Sequence, residues 1–225
     1  MDVSSDSLIP PTPVTSGQAR PLGYDLLAGC AEALQAISQP EFDRAIDEVL
    51  KARGAARRVY IMGNGGSAAT ATHFASDLAK ATRMRGIGPI RASSLTDNVA
   101  LLTAWANDTA YDRVFAEQLL PVLDPADVVV AITVSGRSRN VLRGLSAARE
   151  RRAATIGLLG GDGGAALEAV DIPLLVSSWD YGIVESAHLA IVHAMVGAVR
   201  AELLRLANAA QTALQPTGGP RRSNG

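Results

Sequence analysis

Two residues with side chains suited to catalysis or metal binding, His73 and Asp77, stand four positions apart in an alanine-rich segment with helical periodicity. Residues four apart lie on one face of a helix, so the imidazole and the carboxylate can act together. Such a pair can bind a metal ion or share a proton transfer. The alternative is a surface pair, which contributes only roughly a few tenths of a kcal/mol.

The other two histidines of the chain, His188 and His193, lie near Glu185 in a long helical segment towards the C-terminus. All the histidines therefore fall in two predicted helices. His73, Asp77, Glu185 and His193 can supply the groups for proton transfer. His188 is a further candidate. The alternative is that these histidines are ordinary core or surface residues without a role in a site.

The stretch 58–80 begins with an apolar run, Val59 to Met62, turns through glycines at 63, 65 and 66, and continues as the helix that carries His73. A buried strand, a glycine turn and a helix N-terminus form a place where backbone N–H groups can hold an anion. Ser67 is expected at or near the N-cap. The glycine spacing is neither G-x-G-x-x-G nor a Walker loop, so nucleotide binding is disfavoured. A turn without a ligand is the alternative.

A second strand-to-helix loop runs from Thr133 to Ser138, after the apolar segment 127–132. It again places hydroxyl groups and a glycine at a helix N-terminus, and Arg137 can add a charge-assisted contact to an anion. Two such loops at the carboxyl ends of strands predict one phosphorylated ligand that is not a nucleotide. A sugar phosphate fits this description.

The elements that position these residues alternate between apolar strands and helices, which is typical of a parallel sheet covered on both faces. We predict strands at 59–62, 87–94, 127–132, 154–159 and 172–176 and a last helix over about 183–206. Two helices broken near Gln39-Pro40 precede the first strand, and a partner subunit is one surface they can pack on. The composition of residues 1–21 and 208–225 predicts disordered tails around a single domain at 22–207.

Composition narrows the class of protein. The chain has 225 residues, 48% of them hydrophobic, and its 21 basic residues nearly balance 22 acidic ones, which argues against a nucleic-acid partner. Continuous apolar runs are too short for a membrane span, and the N-terminus does not have the pattern of a signal peptide. The single cysteine, Cys30, excludes an internal disulfide and is expected to be a core residue. We therefore expect a cytoplasmic protein.

Several motifs in consistent order resemble the SIS (sugar isomerase) fold and, within it, the phosphoheptose isomerases. They are GNGGSAA at 63–69, HFA at 73–75, LTDN at 95–98, AND at 106–108, SGRS at 135–138, and the stretch from Ala187-His188 to His193. The resemblance covers about residues 25–207. It implies an α/β three-layer sandwich with a central parallel sheet of about five strands flanked by helices.

The resemblance also implies roles for particular residues. Substrate-binding positions would be Asn64, Gly65, Ser67, Asn107, Asp108, Thr133, Ser135 and Ser138. Zinc would be held by His73, Asp77, Glu185 and His193, with Asp77 as catalytic base and His193 as partner acid. Sites in a homotetramer would lie at subunit interfaces.

Three positions depart from the family pattern. Asp77 stands where the family has Glu, Glu185 where it has Gln, and Gly182 where it has Asp. Glu185 and His193 are also eight residues apart, about 12 Å along a regular helix. Either Glu185 precedes regular helix or two subunits supply the ligands, and His188 is a rival ligand.

The resulting hypothesis is ketose–aldose isomerisation of a sugar phosphate, with sedoheptulose 7-phosphate as the implied substrate, D-glycero-D-manno-heptose 7-phosphate as the product and zinc assisting. The alternative is a sugar-phosphate sensor or oligomeric adaptor of the same fold without catalysis. His73 and His193 favour the enzyme, whereas the changes at Asp77 and Glu185 favour the alternative.

Overall fold

A computed structural model describes residues 22–84 and 87–214. The strands are β1 (Arg58–Gly63), β2 (Arg91–Ser94), β3 (Val128–Thr133), β4 (Ala154–Gly160) and β5 (Ile172–Val176). The helices are α1 (Leu22–Gln35), α2 (Gln39–Gly54), α3 (Gly66–Ala81), α4 (Val99–Asp108), α5 (Val114–Leu119), α6 (Arg139–Glu150) and α7 (Tyr181–Leu214). Short 3-10 turns occupy Tyr111–Arg113 and Gly164–Ala166.

The strands form one parallel sheet in the order β2-β1-β3-β4-β5. From β1 the chain goes to β2 on one side, and then returns to place β3 on the other side. The crevice outside such a reversal point is where parallel α/β sheets bind ligands. Gly63 at the end of β1 pairs with Ile132 near the end of β3, so the two hydroxyl-rich loops leave the sheet side by side.

The core lies in two layers, one on each face of the sheet. In β1, Val59 and Ile61 belong to the layer that also contains buried residues of α2, α3 and α7. Tyr60 and Met62 point to the opposite layer, with buried residues of α5 and α6. Alternate residues point to opposite faces of a strand, so a strand buried on both faces is apolar throughout. The predicted α/β three-layer sandwich with a five-stranded parallel sheet is confirmed.

The predicted helix break near Gln39-Pro40 is confirmed, because Ser38 caps α2 by accepting a hydrogen bond from the Glu41 N–H. The second strand is shorter than predicted and begins only at Arg91, and α5 was not predicted. The last helix continues past the expected boundary at 207 to Leu214. The expected tail at 1–21 and the part of the other tail at 215–225 lie outside the described residues.

α7 contains a segment, Tyr181–Ala209, that is long and apolar enough to cross a membrane by length and composition, and its apolar 18-residue window has a mean hydropathy of 1.5. The sequence reading missed it because His188 and His193 interrupt the continuous apolar runs. Within the window 44% of the residues are buried inside the domain, and one face of the helix belongs to the core layer shared with α2 and α3. We therefore interpret α7 as the core helix of this domain.

Candidate active site

The loop after β1 brings the chain close against itself before α3 begins. Gly65 holds a positive φ of 55° and is the N-cap, so Ser67 lies in the first turn rather than at the cap. A Cβ at Gly63 would stand 2.7 Å from the Ser67 carbonyl oxygen, which explains the glycine there. Ser67 is 5% exposed and sits beside the free N–H groups of the α3 N-terminus.

The loop after β3 is held by its own hydroxyl groups. The Thr133 hydroxyl accepts a hydrogen bond from the Gly136 N–H at 3.2 Å, and the Ser135 hydroxyl accepts one from the Arg137 N–H at 3.2 Å. Ser138 is the N-cap residue of α6, but its hydroxyl makes no capping hydrogen bond. The Ser138 hydroxyl therefore remains available for a ligand.

A third loop, after β4, fixes the β3 loop from the side. Gly136 has a φ of 62°, and a Cβ there would collide with the Gly163 carbonyl. The Arg137 guanidinium donates to both carboxylate oxygens of Asp162, at 3.0 and 2.7 Å. These hydrogen bonds lower the pKa of Asp162 to about 2. In the structure Arg137 is thus paired with Asp162, a contact that the sequence analysis did not predict.

An amide pair joins the β1 loop to the start of α6. The Asn64 side chain donates to Asn140 Oδ1 at 2.9 Å and accepts from Asn140 Nδ2 at 2.8 Å. The Tyr111 hydroxyl also donates to Asn64 Oδ1, at 2.9 Å. Asn140 is 3% exposed, so this pair is a buried, mutually satisfied contact that sets the spacing of the two loops.

Between these loops lies a pocket of about 110 Å³, which we call the anion pocket. Its polar lining includes Asn64, Ser67, Thr133, Ser135, Ser138 and Glu185. Drug-sized ligands fill about 300–1,000 Å³, so this pocket suits a small group such as a phosphate rather than a whole sugar.

His73, Asp77 and His193 form the second part of the site, which we call the His-Asp cluster. The Nε2 atoms of the two histidines are 2.7 Å apart, and Asp77 Oδ2 lies 3.2 Å from His73 Nε2 and 3.9 Å from His193 Nε2. Their potential ligand atoms all lie within 4.8 Å of one another. Two imidazoles and a carboxylate are a donor set that zinc uses, with a further position for water or substrate.

The other two candidates on α7 lie elsewhere. Glu185 is not part of the His-Asp cluster; its carboxylate lies against Gly66 at the start of α3. His188 is fully buried, and neither ring nitrogen has a hydrogen-bond partner of good geometry in the described chain. Burial lowers the pKa of His188 to about 4, an effect that the nearby Leu159 backbone offsets only in part.

Two expected substrate-binding residues lie away from the anion pocket. Asn107 and Asp108 are exposed at the end of α4, where the Asn107 side-chain amide donates to Asp108 Oδ1 at 2.9 Å. Gly182, the third departure from the family pattern, faces α1. A Cβ there would meet the end of the Leu26 side chain at 2.7 Å, so Leu26 would have to shift to admit a larger residue at this position.

Sequence reasoning missed three residues that shape the site: Tyr111, Asn140 and Asp162. Asn140 stands two positions after Ser138 in the predicted loop-to-helix segment, and a polar residue among apolar helix positions was the available signal. The partners of Tyr111 and Asp162 are far away in sequence, and no local pattern marks them.

Comparison with known proteins agrees with this architecture. The family model of the SIS domain matches residues 25–160. A phosphoheptose isomerase of Geobacter sulfurreducens is 42% identical over 147 residues, which is 65% of this chain and 77% of that protein. The structure of a phosphoheptose isomerase from Neisseria gonorrhoeae matches with a TM-score of 0.73 and 29% identity, over 80% of this chain and 95% of that one.

A phosphoheptose isomerase structure from Francisella tularensis matches with a TM-score of 0.74 and 28% identity, over 79% of this chain and 94% of that one. The fold, the order of the motifs and these matches agree. The chain belongs to the phosphoheptose isomerase family of SIS-domain proteins.

Proposed function

We propose that this protein isomerises a ketose phosphate to an aldose phosphate, with sedoheptulose 7-phosphate as substrate and D-glycero-D-manno-heptose 7-phosphate as product. The relatives named phosphoheptose isomerase support this substrate. The observation that carries the proposal is the placement of an anion pocket and a His-Asp cluster on one helix, α3. Ser67 and His73 are separated by about 9 Å of helix rise, a distance that a sugar phosphate can bridge.

The phosphate binds in the anion pocket. Its oxygens accept hydrogen bonds from the hydroxyls of Ser67 and Ser138 and from the N–H groups of the α3 N-terminus. Hydrogen bonds to a charged group contribute about 1.5–3 kcal/mol each, enough to orient the substrate. Because the pocket is small, the carbon chain extends out of it towards the His-Asp cluster.

At the other end, the cluster moves protons between C1 and C2. Asp77 removes a proton from C1 while His193, in its protonated form, donates one to the carbonyl oxygen at C2, which gives the enediol. Protonated Asp77 then returns a proton to C2, and His193 accepts the hydroxyl proton at O1. The C1 carbonyl of the aldose results, and both side chains return to their starting states.

The cluster fits a divalent metal, because its two imidazole nitrogens and one carboxylate oxygen converge. A histidine that binds zinc is neutral, so when His73, Asp77 and His193 hold the ion, zinc would supply Lewis acidity towards the substrate oxygens in place of the proton on His193. We propose about one zinc per chain. Glu185 becomes a ligand only if its carboxylate leaves Gly66.

We further propose a cytoplasmic homo-oligomer, with a tetramer as the state implied by the family resemblance. α4 buries none of its residues within the described chain, although it is apolar, and Val99 is 66% exposed there. On α1, Tyr24 and Leu27 are 73% and 62% exposed. A second copy of the chain would cover these faces, since exposed apolar patches of this kind mark interaction sites.

The test is incubation of the purified protein, with and without added zinc, with sedoheptulose 7-phosphate, followed by chromatographic separation of the isomers. Conversion to the aldose phosphate is expected, and it should disappear in Asp77→Asn. If the protein binds the sugar phosphate but converts no ketose phosphate, it is a sensor or adaptor instead.

A further inference from the structure

The side chain of Glu185 is part of the wall of the anion pocket, where the proposed function places the substrate phosphate. Glu185 is on the second turn of α7 and shares the lining of the pocket with Ser67 and Ser138. A Cβ at Gly66 would collide with both carboxylate oxygens, so the missing side chain of this glycine is what admits them. The carboxylate therefore reaches the first turn of α3.

The position is one that attracts negative charge. The first turn of a helix presents unpaired N–H groups and the positive end of the helix dipole. Among the described residues, Glu185 takes part in none of the ion pairs, and its carboxylate accepts no hydrogen bond. The α3 N-terminus is thus the favourable electrostatic contact that the structure gives this charge.

A phosphate that enters the pocket meets this carboxylate. The phosphate would lie at the start of α3, close to the carboxylate beside Gly66, and the like charges of the two groups repel across a pocket of about 110 Å³. Holding the phosphate beside the carboxylate costs free energy. The carboxylate must therefore move away, or the phosphate binds more weakly.

We propose that Glu185 is an internal competitor of the substrate phosphate, an affinity-determining residue whose negative charge in the wall of the anion pocket weakens the binding of a phosphorylated ligand. This inference rests on the proposed function, because it takes the pocket to be the phosphate site. It assigns Glu185 a role in the phosphate end of the site, separate from the proton transfer at the His-Asp cluster. Weakened phosphate binding also favours release of the phosphorylated product.

The test is titration of inorganic phosphate into the full-length protein by calorimetry, comparing wild type with Glu185→Gln. Glutamine keeps the shape and removes the charge, so Glu185→Gln should bind phosphate roughly tenfold more tightly at low salt. The difference between the two proteins should shrink in 1 M salt, where screening acts over about 3 Å. Metal content is measured for each preparation, so that altered zinc loading is not mistaken for the effect.

The matched control is Glu150→Gln, an exposed residue at the far end of α6 that undergoes the same change of charge. It should bind phosphate like wild type. If wild type binds phosphate and Glu185→Gln binds it no more tightly, or more weakly, the competitor role of Glu185 is wrong. The assignment of the pocket as the phosphate site is then retained. If none of the proteins binds phosphate, the pocket assignment itself is overturned, and the competitor role with it.

Discussion

The anion pocket and the His-Asp cluster sit at two ends of one site, yet the chain holds them in different ways. Thr133 and Ser67 are 4% and 5% exposed, and glycine contacts and the Asn64–Asn140 amide pair fix the loops around them. By contrast, the side chains of His73 and His193 are 47% and 52% exposed and contact mainly each other and Asp77.

The difference suits two separate tasks: the anion pocket orients the substrate, and the His-Asp cluster carries out the proton transfer. The pocket is set by backbone geometry and buried hydrogen bonds, so it is formed before a ligand arrives. The cluster consists of exposed groups, so in the proposed enzyme its arrangement would respond to protons, to the proposed metal ion or to a neighbouring subunit. We therefore expect changes in the cluster to abolish turnover with little effect on phosphate binding, and changes in the pocket to do the reverse.

The largest expected effect is that of His193→Ala. Loss of a positioned acid should lower kcat by about 10²–10⁴-fold, whereas the affinity for inorganic phosphate should stay within twofold of wild type. Steady-state kinetics and phosphate titration measure the two quantities. A comparable loss of phosphate affinity would show that the two ends are not separate.

The second expectation contrasts the buried His188 with the exposed histidines of the cluster. In the unfolded chain His188 has its ordinary pKa of about 6.5, but in the folded protein burial lowers the pKa to about 4. Between these values the unfolded state binds more protons, so the free energy of unfolding should fall as pH drops from 6.5 to 4, by up to about 3 kcal/mol. Above pH 6.5 the effect is absent.

Denaturant unfolding of wild type and His188→Gln across this pH range, with a chelator present, measures this contribution. In the variant the free energy of unfolding should change less with pH, because glutamine does not titrate. Equal slopes in the two proteins would mean that His188 does not remain neutral and buried.

The third expectation concerns the pocket alone. The double variant Ser135→Ala/Ser138→Ala should raise KM for the sugar phosphate by about 10–100-fold while kcat changes only a few-fold, because hydrogen bonds to a charged phosphate are lost. Ser146→Ala, in the middle of α6, is the matched control and should leave KM unchanged. An unchanged KM in the double variant would remove the β3 loop from the site.

The smallest expected effect is that of breaking the Arg137–Asp162 pair. Both side chains are 53% exposed, and solvent screens an exposed ion pair so strongly that it contributes little. Asp162→Asn should therefore change KM by no more than about fivefold, since the glycine contacts of the loop remain. A larger change would mean that this pair, rather than the backbone, positions the β3 loop.

The sequence predicted most of the fold because its signals are local. Apolar runs such as 127–132 mark strands buried on both faces, and Gly63, Gly65 and Gly66 mark a tight turn. α5 escaped prediction because Val114–Leu119 is too short to show helical periodicity. Ser67 was expected at or near the N-cap of α3, and it lies in the first turn, two residues after the N-cap residue Gly65.

The site was predictable only in part. His73 and Asp77 are helix neighbours, so their pairing follows from spacing alone. The Asn64–Asn140 pair joins residues 76 positions apart, and no local sequence pattern predicts such a contact. The location of Glu185 depends on how α7 packs over Gly66, which is a property of the assembled fold.

The most direct test of the proton-transfer account is isomerisation of sedoheptulose 7-phosphate in D₂O, with the aldose product analysed by NMR. Because the Asp77 side chain is 33% exposed and the two histidines beside it are about half exposed, the proton that Asp77 removes from C1 should exchange with solvent before C2 is reprotonated. We expect an aldose phosphate that carries deuterium at C2. A product with only protium at C2, or no product with zinc supplied, would contradict the account.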